Sequence, residues 1–124
     1  MAKSKRSIAT SIPPLVKQKV WERQKGKSLF SPYIPISVEE CCCHFIPRSQ
    51  GGLGIEENIF GCVQRSYRNE HMFFDGNYLR GAHDPCVQVT GLTQEEMHTV
   101  VRNHLIRNYP DWDEENLKYK KGKK

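Results

Sequence analysis

At 124 residues, 37% hydrophobic and 27% charged, the chain is sized for one domain and leaves no room for a second. No apolar run approaches the roughly 20 residues that cross a bilayer. The opening Met1-Ala-Lys-Ser-Lys-Arg-Ser is basic with no hydrophobic stretch behind it, so neither a membrane span nor a secretory signal is expected, and the cytoplasm is the predicted location. Five cysteines form an odd set, three of them adjacent at 41–43, and reduced thiols are expected rather than a disulfide scaffold.

The net charge of +5 and the pI near 9.0 point to an anionic partner, but the distribution matters more than the total. Residues 1–27 carry eight Lys/Arg against one Glu, residues 118–124 carry five Lys and no acid, and the stretch between carries six Arg against thirteen Asp/Glu. Basic arms of this kind grip phosphates and release counterions, whereas an acidic body repels a polyanion unless a cation offsets it or it lies on a remote face.

In chain order, residues 1–10 read as a basic disordered arm. Ser11-Ile-Pro-Pro opens a helix, because proline is tolerated in a first turn and Leu15, Val16, Val20 and Trp21 supply an apolar stripe; the helix ends near Gly26. Pro32 and Pro35 interrupt regular structure over 28–36. Residues 37–46 read as a strand stopped by Pro47, and 58–63 as a second strand pairing antiparallel with it across the glycine-rich loop 48–54. Residues 64–74 lack proline and glycine and are predicted as a helix over that hairpin, ended by Asp75-Gly76-Asn77. Residues 76–91 read as irregular. A last helix begins at the capping-box pair Thr93 and Glu96, runs through Met97, Val100, Val101 and Leu105, and stops at Tyr109-Pro110; a capped turn at 111–116 precedes a basic tail, 118–124. The predicted domain spans 11–117, with its core unit at 37–75.

The segment that carries chemistry is Cys43-His-Phe-Ile-Pro-Arg-Ser-Gln-Gly-Gly, then Glu57-Asn-Ile, then Asn69-Glu-His71. A histidine ending one strand, an asparagine opening the next and a histidine on the following helix can point into one crevice. Hydrolysis of a phosphodiester needs such a set: a neutral imidazole takes a proton from water, while a divalent cation offsets charge on the phosphate and leaving oxygen.

These residues resemble the HNH endonucleases, specifically the small phage-type members; the likeness is close over 43–71 and looser over 20–23 and 108–121. The resemblance implies an α+β fold with a ββα-metal (His-Me finger) core flanked by an N-terminal and a C-terminal helix. It implies a nuclease in which His44 is the general base, Asn58 a metal ligand or an organiser of the base, and His71 a metal ligand. Cys43, standing where Asp or His often precedes the base, is a further candidate ligand, and a second metal-site histidine of many relatives falls at Tyr67. The implied cofactor is Mg or Mn, with Zn or Ni as further candidates. The zinc-binding Cys pairs of this type correspond to Ser28 and Ser31, then Val63 and Ser66, so a structural zinc is expected to be absent and its place filled by Leu29, Phe30, Val63 and the aromatics near Phe73.

The implied partner is the DNA backbone, with Arg48, Arg65, Arg68, Lys17 and Lys19 as candidate contacts and little base readout. A rival zinc site of Cys41, Cys43, Cys62 and Cys86 stays open, against simple packing of buried thiols. A second reading also stays open: a catalytically degenerate HNH-like phage protein, anti-CRISPR-like, whose acidic body binds a nucleic-acid-binding protein of a host defence system.

Overall fold

The structure, a computed structural model, describes residues 4–120. Among them, five α-helices and two antiparallel pairs of short strands make a small mixed α/β protein. The helices are α1 (Lys5–Thr10), α2 (Pro14–Arg23), α3 (Glu70–Asp75), α4 (Pro85–Thr90) and α5 (Gln94–Asn108). Strand β1 (Cys43–His44) pairs with β2 (Ile59–Phe60), placing His44 opposite Ile59, and β3 (Gln64–Arg65) pairs with β4 (Arg68–Asn69). None of these described helices is long and apolar enough to cross a membrane.

Helix α5 starts where its cap dictates: the Thr93 hydroxyl accepts from the Glu96 N–H at 3.1 Å, and the Glu96 carboxylate accepts from the Thr93 N–H at 2.8 Å. Its inward stripe of Met97, Val101 and Leu105 joins Phe30, Phe45, Phe60 and Phe74 in the larger apolar cluster, where Phe60 and Phe74 meet edge to face at 4.8 Å. A smaller cluster of Val20, Ile36, Cys41, Ile59 and Val63 seats α2. Arg23, at the end of α2, ties these layers together. It donates to His104 Nε2 (2.8 Å), to the carbonyls of Glu56 (2.9 Å) and Ile59 (2.7 Å), and to the Tyr109 hydroxyl (3.1 Å), so the guanidinium is satisfied wholly by neutral acceptors.

Several sequence expectations are corrected. The arm predicted as disordered is helical over Lys5–Thr10, because the Ser4 hydroxyl caps it through the Ser7 N–H at 3.0 Å and Arg48 holds it from outside; residues 1–3 lie outside the described residues. The strand predicted over 37–46 shrinks to Cys43–His44, since Ser37 and Glu40 cap each other around a 3-10 turn at Val38–Glu40. The strand over 58–63 shrinks to Ile59–Phe60 behind a second such turn, Glu56–Asn58. Residues 64–74 are not one helix but the β3–β4 hairpin followed by α3, which begins at Glu70 because Asn69 Oδ1 accepts from the Met72 N–H at 3.0 Å. The stretch 76–91, read as irregular, contains α4, capped by Asp84 with Pro85 in its first turn and closed by Gly91 at φ 78°.

The start of the predicted tail is likewise tied down. Tyr119 N–H donates to the Gly51 carbonyl at 2.7 Å and Leu53 N–H to the Leu117 carbonyl at 2.8 Å, so residues 117–119 strap the glycine loop; residues 121–124 lie outside the described residues. Gly52 is required in that loop, since a Cβ there would collide with the Ile46 carbonyl.

Candidate active site

His44 closes β1, and its ring Nε2 lies 2.9 Å from the Thr10 carbonyl at the end of α1. A carbonyl only accepts, so Nε2 carries the proton and Nδ1 keeps its lone pair. Burial lowers the pKa of His44, and the nearby charges of Arg48 and His71 lower it further against the opposing pull of the Thr10 carbonyl and Asp75. The result is a neutral imidazole near pH 7, which is the state a general base needs.

His71 sits in the first turn of α3, and the helical spacing brings Asp75 to the same face, with Nε2 3.1 Å from the Asp75 carboxylate and Nδ1 3.2 Å from Gln64 Oε1. Burial opposes charge on His71, but the hydrogen bond and charge of Asp75 outweigh it, and its pKa is raised. His44, Arg48, Ser49, His71, Asp75 and Asn77, with Pro47, line one cleft of about 410 Å³. Two of the three positions singled out in the sequence as His44, Asn58 and His71, namely the two histidines, thus line one cleft, and Asp75 joins them.

Asn58 does not. Its side chain is fully buried and occupied: Oδ1 accepts from Ile46 N–H at 2.8 Å, and Nδ2 donates to the carbonyls of Leu53 (2.9 Å) and Ile46 (3.2 Å). With its carboxamide committed to backbone, Asn58 is corrected from metal ligand to organiser, clamping the chain that leaves His44. Cys43 is also corrected as a ligand. It is fully buried, its Sγ 3.5 Å from that of Cys62, and burial first of all pushes its thiol well above the ordinary value, whereas a metal needs the thiolate. Tyr67 is 78% exposed in the β3–β4 turn, with its hydroxyl against Arg65 rather than in the cleft.

The four-cysteine site is not assembled either. Cys41 lies in the smaller apolar cluster with its thiol pushed up to about 12 by burial, and Cys86 packs on Met97 in α5, 3.4 Å from its sulfur. Among the described residues, no three His, Cys, Asp or Glu side chains gather as a metal-holding group.

The positions Ser28, Ser31 and Val63 converge on something the sequence reading missed. Glu70, fully buried, accepts from the hydroxyls of Ser28 and Ser31 at 2.6 Å each, from Val63 N–H at 2.9 Å and from Arg68 Nε at 3.1 Å, while Arg68 also reaches Ser31 Oγ at 2.8 Å. The expected apolar filling by Leu29, Phe30, Val63 and the aromatics near Phe73 is therefore corrected: a carboxylate occupies the junction, and Ser66 stays exposed in the hairpin turn. This clamp joins the loop 28–31, the hairpin and α3, and so fixes the helix that carries His71.

Of the candidate nucleic-acid contacts, four are held by acids of the same chain: Arg65 by Glu40 (3.0 Å), Arg68 by Glu70 (3.0 Å), Lys17 by Glu39 (3.1 Å) and Lys19 by Glu56 (3.5 Å). Arg48 differs, as its bonds run to Thr10 Oγ1 (3.1 Å), Ser11 Oγ (3.0 Å) and the Ser7 carbonyl (3.3 Å). A separate hollow of about 270 Å³, lined by Glu57, Tyr109, Asp111, Trp112 and Asp113 among others, holds no histidine, cysteine or cation and lacks a base or nucleophile of the kind found beside His44.

Sequence reasoning also missed Thr10 and Asp75. Asp75 was signalled by its four-residue spacing from His71, whereas Thr10 acts through its backbone and leaves no trace in residue type. No protein-family model, curated protein or solved structure matches the chain. Any functional assignment therefore rests on the residues and their geometry.

Proposed function

We propose that the chain is a metal-dependent HNH-type endonuclease, with β1, β2 and α3 as its ββα-metal unit and the phosphodiester backbone of DNA as substrate. One observation carries the reading: an imidazole whose Nε2 is blocked by a carbonyl shares a cleft with a His–Asp pair and an arginine, and among the described residues its Nδ1 has no hydrogen-bond partner and that arginine no acidic one. His44 Nδ1 takes a proton from water, the hydroxide oxygen bonds to phosphorus, and the bond to the leaving oxygen breaks. Thr10 fixes the ring and its tautomer.

Asp75 supplies the hard oxygen donor that a divalent ion takes. Mg or Mn is commonly held by one or two protein groups, with water and substrate phosphate oxygens completing the shell, and His71, whose ring nitrogens lie against Gln64 Oε1 and the Asp75 carboxylate, would join as a ligand on releasing Nε2 from Asp75 and losing that proton. When bound, the cation would offset charge on the phosphate and on the leaving oxygen. A zinc site closed by four protein ligands is not what these residues offer.

Nicking of supercoiled plasmid in Mg or Mn tests the reading. Wild-type protein nicks, and His44→Ala loses about 10²–10⁴-fold; equal nicking by both removes His44 as base. The pairing of Arg65, Arg68, Lys17 and Lys19 with acids favours a second reading, a protein-binding member of the same fold. That reading expects no nicking, little DNA affinity and a stable complex with a basic, nucleic-acid-binding protein.

A further inference from the structure

A second hollow, of about 420 Å³, opens next to the cleft and shares Arg48 and Ser49 with it. Its other walls are Ser4, Arg6, Ser7 and Thr10, all contributed by α1 and its cap, and no carboxylate lines it. Arg6 NH2 donates to the Ser49 carbonyl at 3.0 Å, which holds this guanidinium over the loop that also presents Arg48. Arg48 is held from the opposite side by Thr10, Ser11 and Ser7. Neither arginine makes a salt bridge among the described residues, although the other candidate cations along this chain do.

Two guanidiniums fixed by neutral acceptors around one concave surface repel each other with no counter-charge between them. Their hydrogen bonds position both groups in advance and leave their positive charge uncompensated, which suits a planar fork binding phosphate oxygens. A free inorganic anion would satisfy the charge, but the hollow adjoins the cleft with Arg48 and Ser49 as their common wall, and a strand whose phosphate faces His44 can lay a neighbouring phosphate on the other side of that wall.

We propose that this hollow is a phosphate subsite for the DNA strand, in which Arg6 and Arg48 grip a phosphate flanking the one presented to His44. The inference rests on the reading of the cleft as a nucleic-acid site. It makes α1 part of the substrate platform, with Arg6 as a binding residue outside the HNH-like motif.

The test is fluorescence anisotropy of a short fluorescein-labelled oligodeoxynucleotide, titrated at several salt concentrations without divalent cation so that no strand is cut. Arg6→Gln, which keeps a donor for the Ser49 carbonyl but loses the charge, is expected to weaken binding about 5–10-fold at low salt and to lower the slope of log K against log salt by about one. Arg6→Lys restores the slope. Arg102→Gln, whose cation is already paired with Glu114, leaves the slope within about 0.3 of wild type. Wild-type binding with an unchanged slope in Arg6→Gln overturns the subsite while leaving the cleft reading intact. No oligonucleotide binding by wild type overturns both. Loss of plasmid nicking by wild type, with the Arg6 effect present, overturns the hydrolase alone.

Discussion

Replacing Glu70 by alanine is expected to destabilise the fold by about 3–4 kcal/mol. The carboxylate is fully buried and receives two hydroxyls at 2.6 Å, one backbone N–H at 2.9 Å and the Arg68 guanidinium, whose side chain is 16% exposed. Removing one partner of a buried ion pair costs roughly 3–5 kcal/mol, because the other charge is left behind. Here the lower part of that range applies, since Arg68 keeps its bond to the Val89 carbonyl at 2.9 Å. Glu70→Gln keeps shape and one acceptor, so about 1–2 kcal/mol is expected. At roughly 3–5 °C per kcal/mol for 124 residues, alanine lowers Tm by about 9–20 °C. Urea unfolding followed by circular dichroism reads the free energies directly. A double variant, Arg68→Met with Glu70→Leu, should recover part of the loss, because the stranded charge is the main cost. If Glu70→Ala falls within about 1 kcal/mol of wild type, the carboxylate clamp does not hold this junction and the reasoning fails.

Other expectations follow from the same geometry. His104 is held neutral by burial first, then by Arg23 and Arg107, with its pKa lowered to about 4. The unfolded chain therefore takes up this proton first as pH falls below about 6.5, so stability present at neutral pH is lost toward pH 4, by up to about 3 kcal/mol. His104→Gln, which can still accept from Arg23, should flatten that part of the stability profile, and an unchanged profile would be a refutation. Because the Glu70 carboxylate already takes the Ser28 and Ser31 hydroxyls, EDTA is expected to leave Tm unchanged and elemental analysis to find no tight zinc; one zinc per chain would contradict this. Asp75→Asn is expected to raise the Mn concentration for half-maximal nicking at least about tenfold and to remove the upward pull on the His71 pKa, readable by NMR titration.

What could be read from residue order alone divides along physical lines. Helix α5 was legible because a long amphipathic stripe and a capping box agree, and each is strictly local. The crevice was half legible. His44 and His71 stand out by type and spacing, but the facing of Cys43 depends on a strand only two residues long, too short to show alternation. Asn58 was visible, yet whether an amide holds a metal or a loop depends on which backbone groups lie within reach. The helix expected over 64–74 failed because the absence of proline and glycine is only permissive, while Asn69 as a cap and Glu40 as acceptor for Gln64 and Arg65 decide the outcome. Glu70 in the core contradicts the usual exposure of carboxylates, and only the positions of Ser28, Ser31 and Arg68 in space make its burial intelligible.

The pH dependence of plasmid nicking in saturating Mg, compared between wild type and His44→Ala, bears most directly on the cleft as a site of hydrolysis. Because His44 titrates below its ordinary value, wild-type nicking should climb across acidic pH as this ring loses its proton. In the alanine variant that limb should vanish and the residual rate should sit about 10²–10⁴-fold lower. Two superimposable profiles would show that no proton passes through His44, and the chain would then have to be understood by what it binds.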